Sequence, residues 1–499
     1  MARSLRIFRR TARAGVIGLA ASLMASTALV STALAAPANV AAVPGEPALF
    51  LGAYDIGQLG YSVEEHFLSG TATSYRLNGA PSPDGRWDAA ADATAPYTTR
   101  LVVIRPSDPA KFNGSVVVEW LNVSAGADGA PDWNVMHREL VRNGYAYVGV
   151  SAQKVGVDGG PGQGIGQPLK KADPGRYGPL NHPGDAYAYD IYSQAGASLR
   201  QADGPLGPLK AQRLIGVGES QSAVFLTTYV NAVDPLAKVY DGFMINSRFG
   251  PGAALDGRSI FVAGDSLPKA VKLRPDLRVP TMTVVTETDV VGGRLPGFLA
   301  ARQPDTDKLR TWEIAGAAHA DNYFFKVGYI DSGKTPLATL AAAYAPLKEA
   351  PGGALDKPMN PGQPHHYVLK AALAGLDRWI ATGEAPAQAQ PIEVAAGSPA
   401  VLVTDANGIA KGGVRTPWVD APTARVSGVG NSGGVLGYLA GVGEPFDAAA
   451  LQRLYPGGEA DYLAKFTASL DAAIAEGFLL AADREEILGL AKIGYPGAR

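Results

Sequence analysis

Short, almost unbroken apolar runs recur along the chain with helical patterns between them, and this alternation restricts the fold more than any other feature. GSVVVEWLNVS (114–124), YAYVGVSA (145–152), RLIGV (213–217), YDGFMINS (240–247), VPTMTVV (279–285) and LRTWEIAGAAH (309–319) each have the length of a strand. A strand without polar alternation is one covered on both faces, as in a parallel sheet. In DWNVMHRELVRNG, between the first two runs, Trp133, Met136 and Leu140 share a helical face and Gly144 ends the element. HYVLKAALAGLDRWIATG reads as an amphipathic helix ending at Gly383. The order strand, helix, strand predicts an α/β fold on a mostly parallel, doubly wound sheet. Residues 47–105 are β-rich and add N-terminal strands. After Pro386 a β-and-turn stretch precedes helices from Phe446 onward. The expected organisation is a leader at 1–35, an α/β domain at 36–385, and a β-plus-helical extension at 386–499 packed on the main sheet.

The chain has 499 residues, enough to bury a large core, and its charge is balanced, with 44 basic and 46 acidic residues. No basic block follows the first residues, so nucleic acid is not an expected partner. Arg3, Arg6, Arg9, Arg10 and Arg13 precede the apolar AGVIGLAASLMASTALV, and Ala33-Leu34-Ala35 then precedes Ala36. That pattern is a secretory signal peptide with a cleavage site, and it predicts export to the periplasm or the medium. There is no cysteine, which excludes disulfides, a lipoprotein anchor, thiolate metal sites and a cysteine nucleophile. No other apolar run is long enough to span a bilayer, so no stable membrane span is expected once the leader is removed.

The link between RLIGV and the helical AVFLTTYVNAV is unusually short: Gly218-Glu219-Ser220-Gln221-Ser222. Small-x-Ser-x-small between a strand and a helix is the pattern of a nucleophile elbow, in which the serine stands on a strained turn at the helix N-terminus. Gly218 and Ser222 are the small residues; Ser222 departs from the commoner glycine. A serine nucleophile needs a base, and the base an orienting acid, in chain order Ser, acid, His. Three of the six histidines follow Ser220. His319, just past a strand in GAAHAD, is the expected base. His365 and His366 open a helix, where surface or capping roles are expected. The acid should follow the 279–285 strand, as Asp289 or Glu287; Asp289, further from the strand end, is preferred. The oxyanion hole should use the N–H of Gln221 and that of Asn122 or Val123, beyond the 114–124 strand. The glycine- and proline-rich stretch 154–185 is long for a compact domain, and it is expected to shape substrate choice. His182 within it is a candidate pocket residue.

The order of these motifs resembles the α/β-hydrolase fold over residues from about 50 to 385. FNGSVVVEWLNVS, YVGVSAQKVGV, LNHPGDAYAYDIYSQA, GESQSA, TETDV, AGAAHAD, GGVRTPWVD and EGFLLAADRE together resemble one bacterial family of secreted α/β-hydrolase domain proteins. The resemblance implies a secreted or periplasmic serine hydrolase and no definite substrate. The expected activity is cleavage of a small or polymeric carboxylic ester through an acyl-serine. An amidase or peptidase on the same residues is the nearest alternative, and a non-catalytic binding protein on the same fold is a third. No cofactor or metal is expected: HExxH and P-loop patterns are absent, and GPGQGIG lies inside a loop rather than between a strand and a helix.

Overall fold

The computed structural model describes residues 38–160, 164–260, 268–397 and 399–496. The predicted leader lies outside the described residues, as do 161–163 of the long loop. Nine strands form the main sheet: β1 (Asn39–Val43), β2 (Tyr61–Leu77), β3 (Ala89–Pro106), β4 (Ser115–Trp120), β5 (Ala146–Val150), β6 (Arg213–Glu219), β7 (Gly242–Asn246), β8 (Thr281–Thr286) and β9 (Leu309–Ile314). Their spatial order is β1-β2-β3-β5-β4-β6-β7-β8-β9. The ladders from β1 to β3, and β3 with β5, are antiparallel; those from β5 through β4 to β9 are parallel. The N-terminal extended region is thus two long strands and an edge strand, and the apolar runs are the parallel core.

Alternate residues on each parallel strand enter different cores. Val117, Ile215, Val217, Met244 and Trp312 enter the core that also holds α1 (Pro131–Arg142), while Val116, Val118, Leu214, Phe243 and Ile245 pack with α2 (Ala188–Ser198) and α3 (Gln221–Thr228). The short α4 (Glu287–Val291) begins directly at the end of β8, and α5 (Gln363–Thr382) joins α1 on the first face. Trp133, Met136 and Leu140 are buried as their spacing predicts. Complete burial stabilises each by roughly 1.5–3 kcal/mol. Gly383 ends α5 in the left-handed region, its N–H on Trp379 O.

The 154–185 stretch has more order than its composition suggests. It makes short helices at Lys154–Asp158, Leu169–Ala172 and Pro174–Tyr177, and Val157, Leu169, Tyr177 and Leu180 close a small core of their own. Four apolar residues spread among glycines and prolines leave no periodic signal, yet they gather into one cluster against Phe67 of β2.

The C-terminal extension shares the main core. Val414 bridges Ile314 in parallel beyond β9, and Trp312 meets the Phe478 ring with centroids 5.0 Å apart. Two helices, α6 (Glu459–Ala475) and α7 (Arg484–Gly494), supply Tyr462, Phe466, Leu470, Ile487 and Leu490 to the core on the α1 side.

Candidate active site

β6, β8 and β9 fall within four successive parallel strands, β6-β7-β8-β9, and the carboxyl end of each of the three leads into a segment carrying one expected residue. β6 stops at Glu219 and α3 starts at Gln221, so Ser220 alone makes the turn. Its φ of 55° and ψ of −114° put a non-glycine residue in sparsely populated backbone space. The Ser220 N–H donates to Asn246 O at 3.1 Å, tying the turn to the end of β7. A side chain at Gly218 would place its Cβ 3.2 Å from the Ser222 carbonyl carbon, so strand and helix nearly touch there. Ser222 has a second task. Its Oγ accepts from Glu219 N at 3.0 Å and donates to Glu219 O at 2.8 Å, so a hydroxyl braces the elbow where glycine is commoner.

His319 stands in the loop after β9, buried, with its ring 5.1 Å from that of Phe249. Its Nε2 lies 2.8 Å from Ser220 Oγ, and its Nδ1 lies 2.5 Å from Asp289 Oδ1. A carboxylate only accepts, so Nδ1 carries the proton and Nε2 is left to accept from the serine hydroxyl. Asp289 is fixed in turn: its Oδ2 accepts from Thr286 N at 2.7 Å and Thr286 Oγ1 at 2.8 Å, a capping box opening α4. The Thr288 hydroxyl accepts from the His319 N–H at 3.1 Å.

Glu287 points elsewhere. Fully buried, it accepts from Gly316 N at 2.5 Å, Ser427 Oγ at 2.6 Å and Gly428 N at 2.8 Å. It joins the β8 turn, the His319 loop and the extension. Burial pushes its carboxyl up, against the lowering by these three donors.

Of the expected oxyanion donors, Gln221 N opens a helix. Asn122 N is engaged with Gly129 O at 3.0 Å, which takes that residue's N–H out of the set. Val123 N remains, and at rest it donates to the Gln221 side-chain oxygen at 3.3 Å. The Gln221 amide is itself held by Gln153 Oε1 at 2.7 Å. His182 is held by hydrogen bonds at both ring nitrogens. It is buried, accepts from Gly184 N on Nδ1 at 3.2 Å, and pairs Nε2 with Ala152 O at 2.8 Å, so it ties its loop to the segment that follows β5. His365 and His366 are also buried rather than on the surface. His365 meets Asp321 at 3.0 Å, and His366 stacks on Tyr323 with centroids 3.6 Å apart.

Sequence reasoning missed a group of acids beneath the elbow. Glu119 on β4 accepts from the N–H groups of Asp132 at 3.1 Å and Trp133 at 2.9 Å, and so caps α1. Burial pushes Asp132 up to about 7 and holds Glu119 well above the usual carboxylate range. The signal was present: Glu119 is the one charge in SVVVEW. Among the described residues no group of three or more His, Asp or Glu could hold a metal ion.

A mostly parallel sheet with a serine on a strand–helix elbow, and a histidine and an aspartate brought to it by later loops, defines the α/β-hydrolase class. The chain belongs to the alpha/beta hydrolase domain family, whose pattern matches residues 30–489. No curated protein matches it. Similar solved structures include a glucuronoyl esterase from Solibacter usitatus, 12% identical, covering 55% of this chain and 80% of the other with a TM-score of 0.30. A thermostable esterase from Pseudomonas putida ECU1011 is 12% identical, covering 58% and 82% with a TM-score of 0.30.

Proposed function

We propose that the protein is an exported serine hydrolase that cleaves carboxylic esters. The contacts of His319 with Ser220 at 2.8 Å and Asp289 at 2.5 Å carry this reading. His319 Nε2 takes the proton of Ser220 Oγ as that oxygen bonds to the ester carbonyl carbon. The carbonyl oxygen becomes an oxyanion beside the N–H of Gln221, with the Val123 N–H released from the Gln221 side chain as the second donor. The imidazolium, held by Asp289, protonates the departing alkoxide, and water then releases the acid from Ser220 by the same steps.

The test is labelling by a fluorophosphonate, run beside turnover of a p-nitrophenyl ester and the matching anilide. Wild type should label and favour the ester, and folded Ser220→Ala should do neither, with turnover lower by at least about a thousandfold. Labelling that survives in Ser220→Ala moves the nucleophile; preference for the anilide makes the enzyme an amidase. Export rests on the arginine-rich start, the apolar stretch and Ala33-Leu34-Ala35. Protein from the envelope or medium should begin near Ala36, and a mature chain retaining Met1 in the cytoplasm would refute export.

A further inference from the structure

The acid at the centre of the elbow has no part in the steps above. Glu219 is the last residue of β6 and is buried. Its Oε2 accepts from Asn122 Nδ2 at 3.0 Å, and its Oε1 lies 3.5 Å from His319 Nε2, the atom that meets Ser220. His319 therefore lies between two carboxylates, Asp289 against Nδ1 and Glu219 beside Nε2. The backbone leaves Glu219 little freedom, since its N–H and carbonyl are both bound to Ser222 Oγ.

We propose that Glu219 is a positioning residue that acts through His319, its carboxylate stabilising the imidazolium formed when Nε2 takes the Ser220 proton. The inference rests on the esterase reading. Nothing is consumed: the proton passes from Ser220 Oγ to Nε2 and on to the leaving oxygen, while Glu219 supplies a negative charge beside a transient positive one. An opposite charge within about 4–6 Å favours the charged form of its neighbour.

The surroundings decide when that charge is present. Glu219 faces His319 from the loop after β9, Asp289 from α4, Glu119 from β4 and Asp132 from the start of α1. Burial foremost, then Asp132, Asp289 and Glu119, pushes its carboxyl well above the usual carboxylate range, and Asn122 opposes this. In the pH dependence of turnover Glu219 therefore adds a step of its own, above the ordinary carboxylate range, to the step set by the general base. Only when Glu219 is ionised is the imidazolium of the transition state fully stabilised.

The experiment is the pH dependence of kcat and kcat/KM for p-nitrophenyl acetate, from about pH 5 to about pH 9, in wild type and Glu219→Gln. Glutamine keeps the shape and the Asn122 contact but cannot ionise. Wild type should rise in two steps. Glu219→Gln should rise in one, to a kcat plateau lower by about tenfold with KM within about twofold. Glu219→Asp keeps a retracted carboxylate and should retain the second step at smaller amplitude, which also serves if the glutamine variant does not fold. A single step in wild type, or a folded Glu219→Gln with the wild-type plateau, overturns the proposal. Fluorophosphonate labelling of the same samples separates the two readings: label on Ser220 with an unaltered pH profile sinks the role of Glu219 alone, and loss of label in wild type sinks both.

Discussion

At the scale of single residues, two carboxylates two positions apart have been given unlike tasks. Asp289 meets His319 Nδ1, whereas Glu287 has three donors and none of them is the imidazole. Asp289→Asn offers Nδ1 an amide in place of a carboxylate and loses control of the tautomer, so kcat should fall by about a thousandfold or more with the fold intact. Glu287→Gln should reverse the pattern. It gives up charge-assisted bonds that no water can replace, lowering stability by roughly 2–3 kcal/mol, with kcat reduced by less than about tenfold. Denaturant unfolding and ester turnover on the two purified variants check the pair; the opposite ordering would make Glu287 the orienting acid.

At the scale of elements, the elbow works because β6 and α3 are held together across one residue. Ser222 supplies the brace through the Glu219 backbone, and Gly218 leaves the room. Ser222→Ala removes both hydrogen bonds while keeping the small volume. Stability should drop by about 1–2 kcal/mol and kcat by about tenfold, with KM little changed, because the serine is loosened and the pocket is not. A variant with wild-type kcat would mean that the strain at Ser220, φ 55°, is maintained by the Asn246 contact alone.

At the scale of the whole molecule, the extension is part of the site's foundation. Ser427 and Gly428 bind Glu287, Thr288 Oγ1 donates to Gly428 O at 2.6 Å, and Ala320 N donates to Leu439 O at 3.0 Å. A Cβ at Gly428 would fall 2.3 Å from Ala317 O and 2.7 Å from Thr288 N. Gly428→Ala must therefore part the acid turn from the histidine loop. A misplacement of about 1 Å at reacting groups lowers turnover by about a hundredfold, which is the loss expected in kcat/KM for a variant that touches no substrate. The buried acids give the molecule a pH signature as well. Asp132, pushed up to about 7 in the fold by burial, stabilises the fold most when protonated, so its contribution falls as pH rises from its unfolded value through about 7. Asp132→Asn should thus have a higher Tm than wild type above neutral pH, with the gap closing as pH is lowered towards about 4. A gap that widens on acidification would contradict this.

The parallel sheet and the sharp strand-to-helix turn at Ser220 were legible in the sequence. Apolar runs buried on both faces, and a strand meeting a helix across small residues, are local patterns with a single economical fold. Tertiary structure alone decided what lies between elements far apart in the chain. Position past the strand favours Asp289 but leaves Glu287 open, and only the approach of residues 427–428 shows where Glu287 is bound. His182, His365 and His366 sit where composition suggests loop or surface, yet each is buried by segments that sequence distance conceals. Glu119, Asp132 and Glu219 come from a strand, a helix start and a second strand, and they form one acid group only because β4 and β6 are neighbours. Periodicity reports which face of an element is covered, whereas a carboxylate's charge depends on the partners that close over it, and those are chosen by packing.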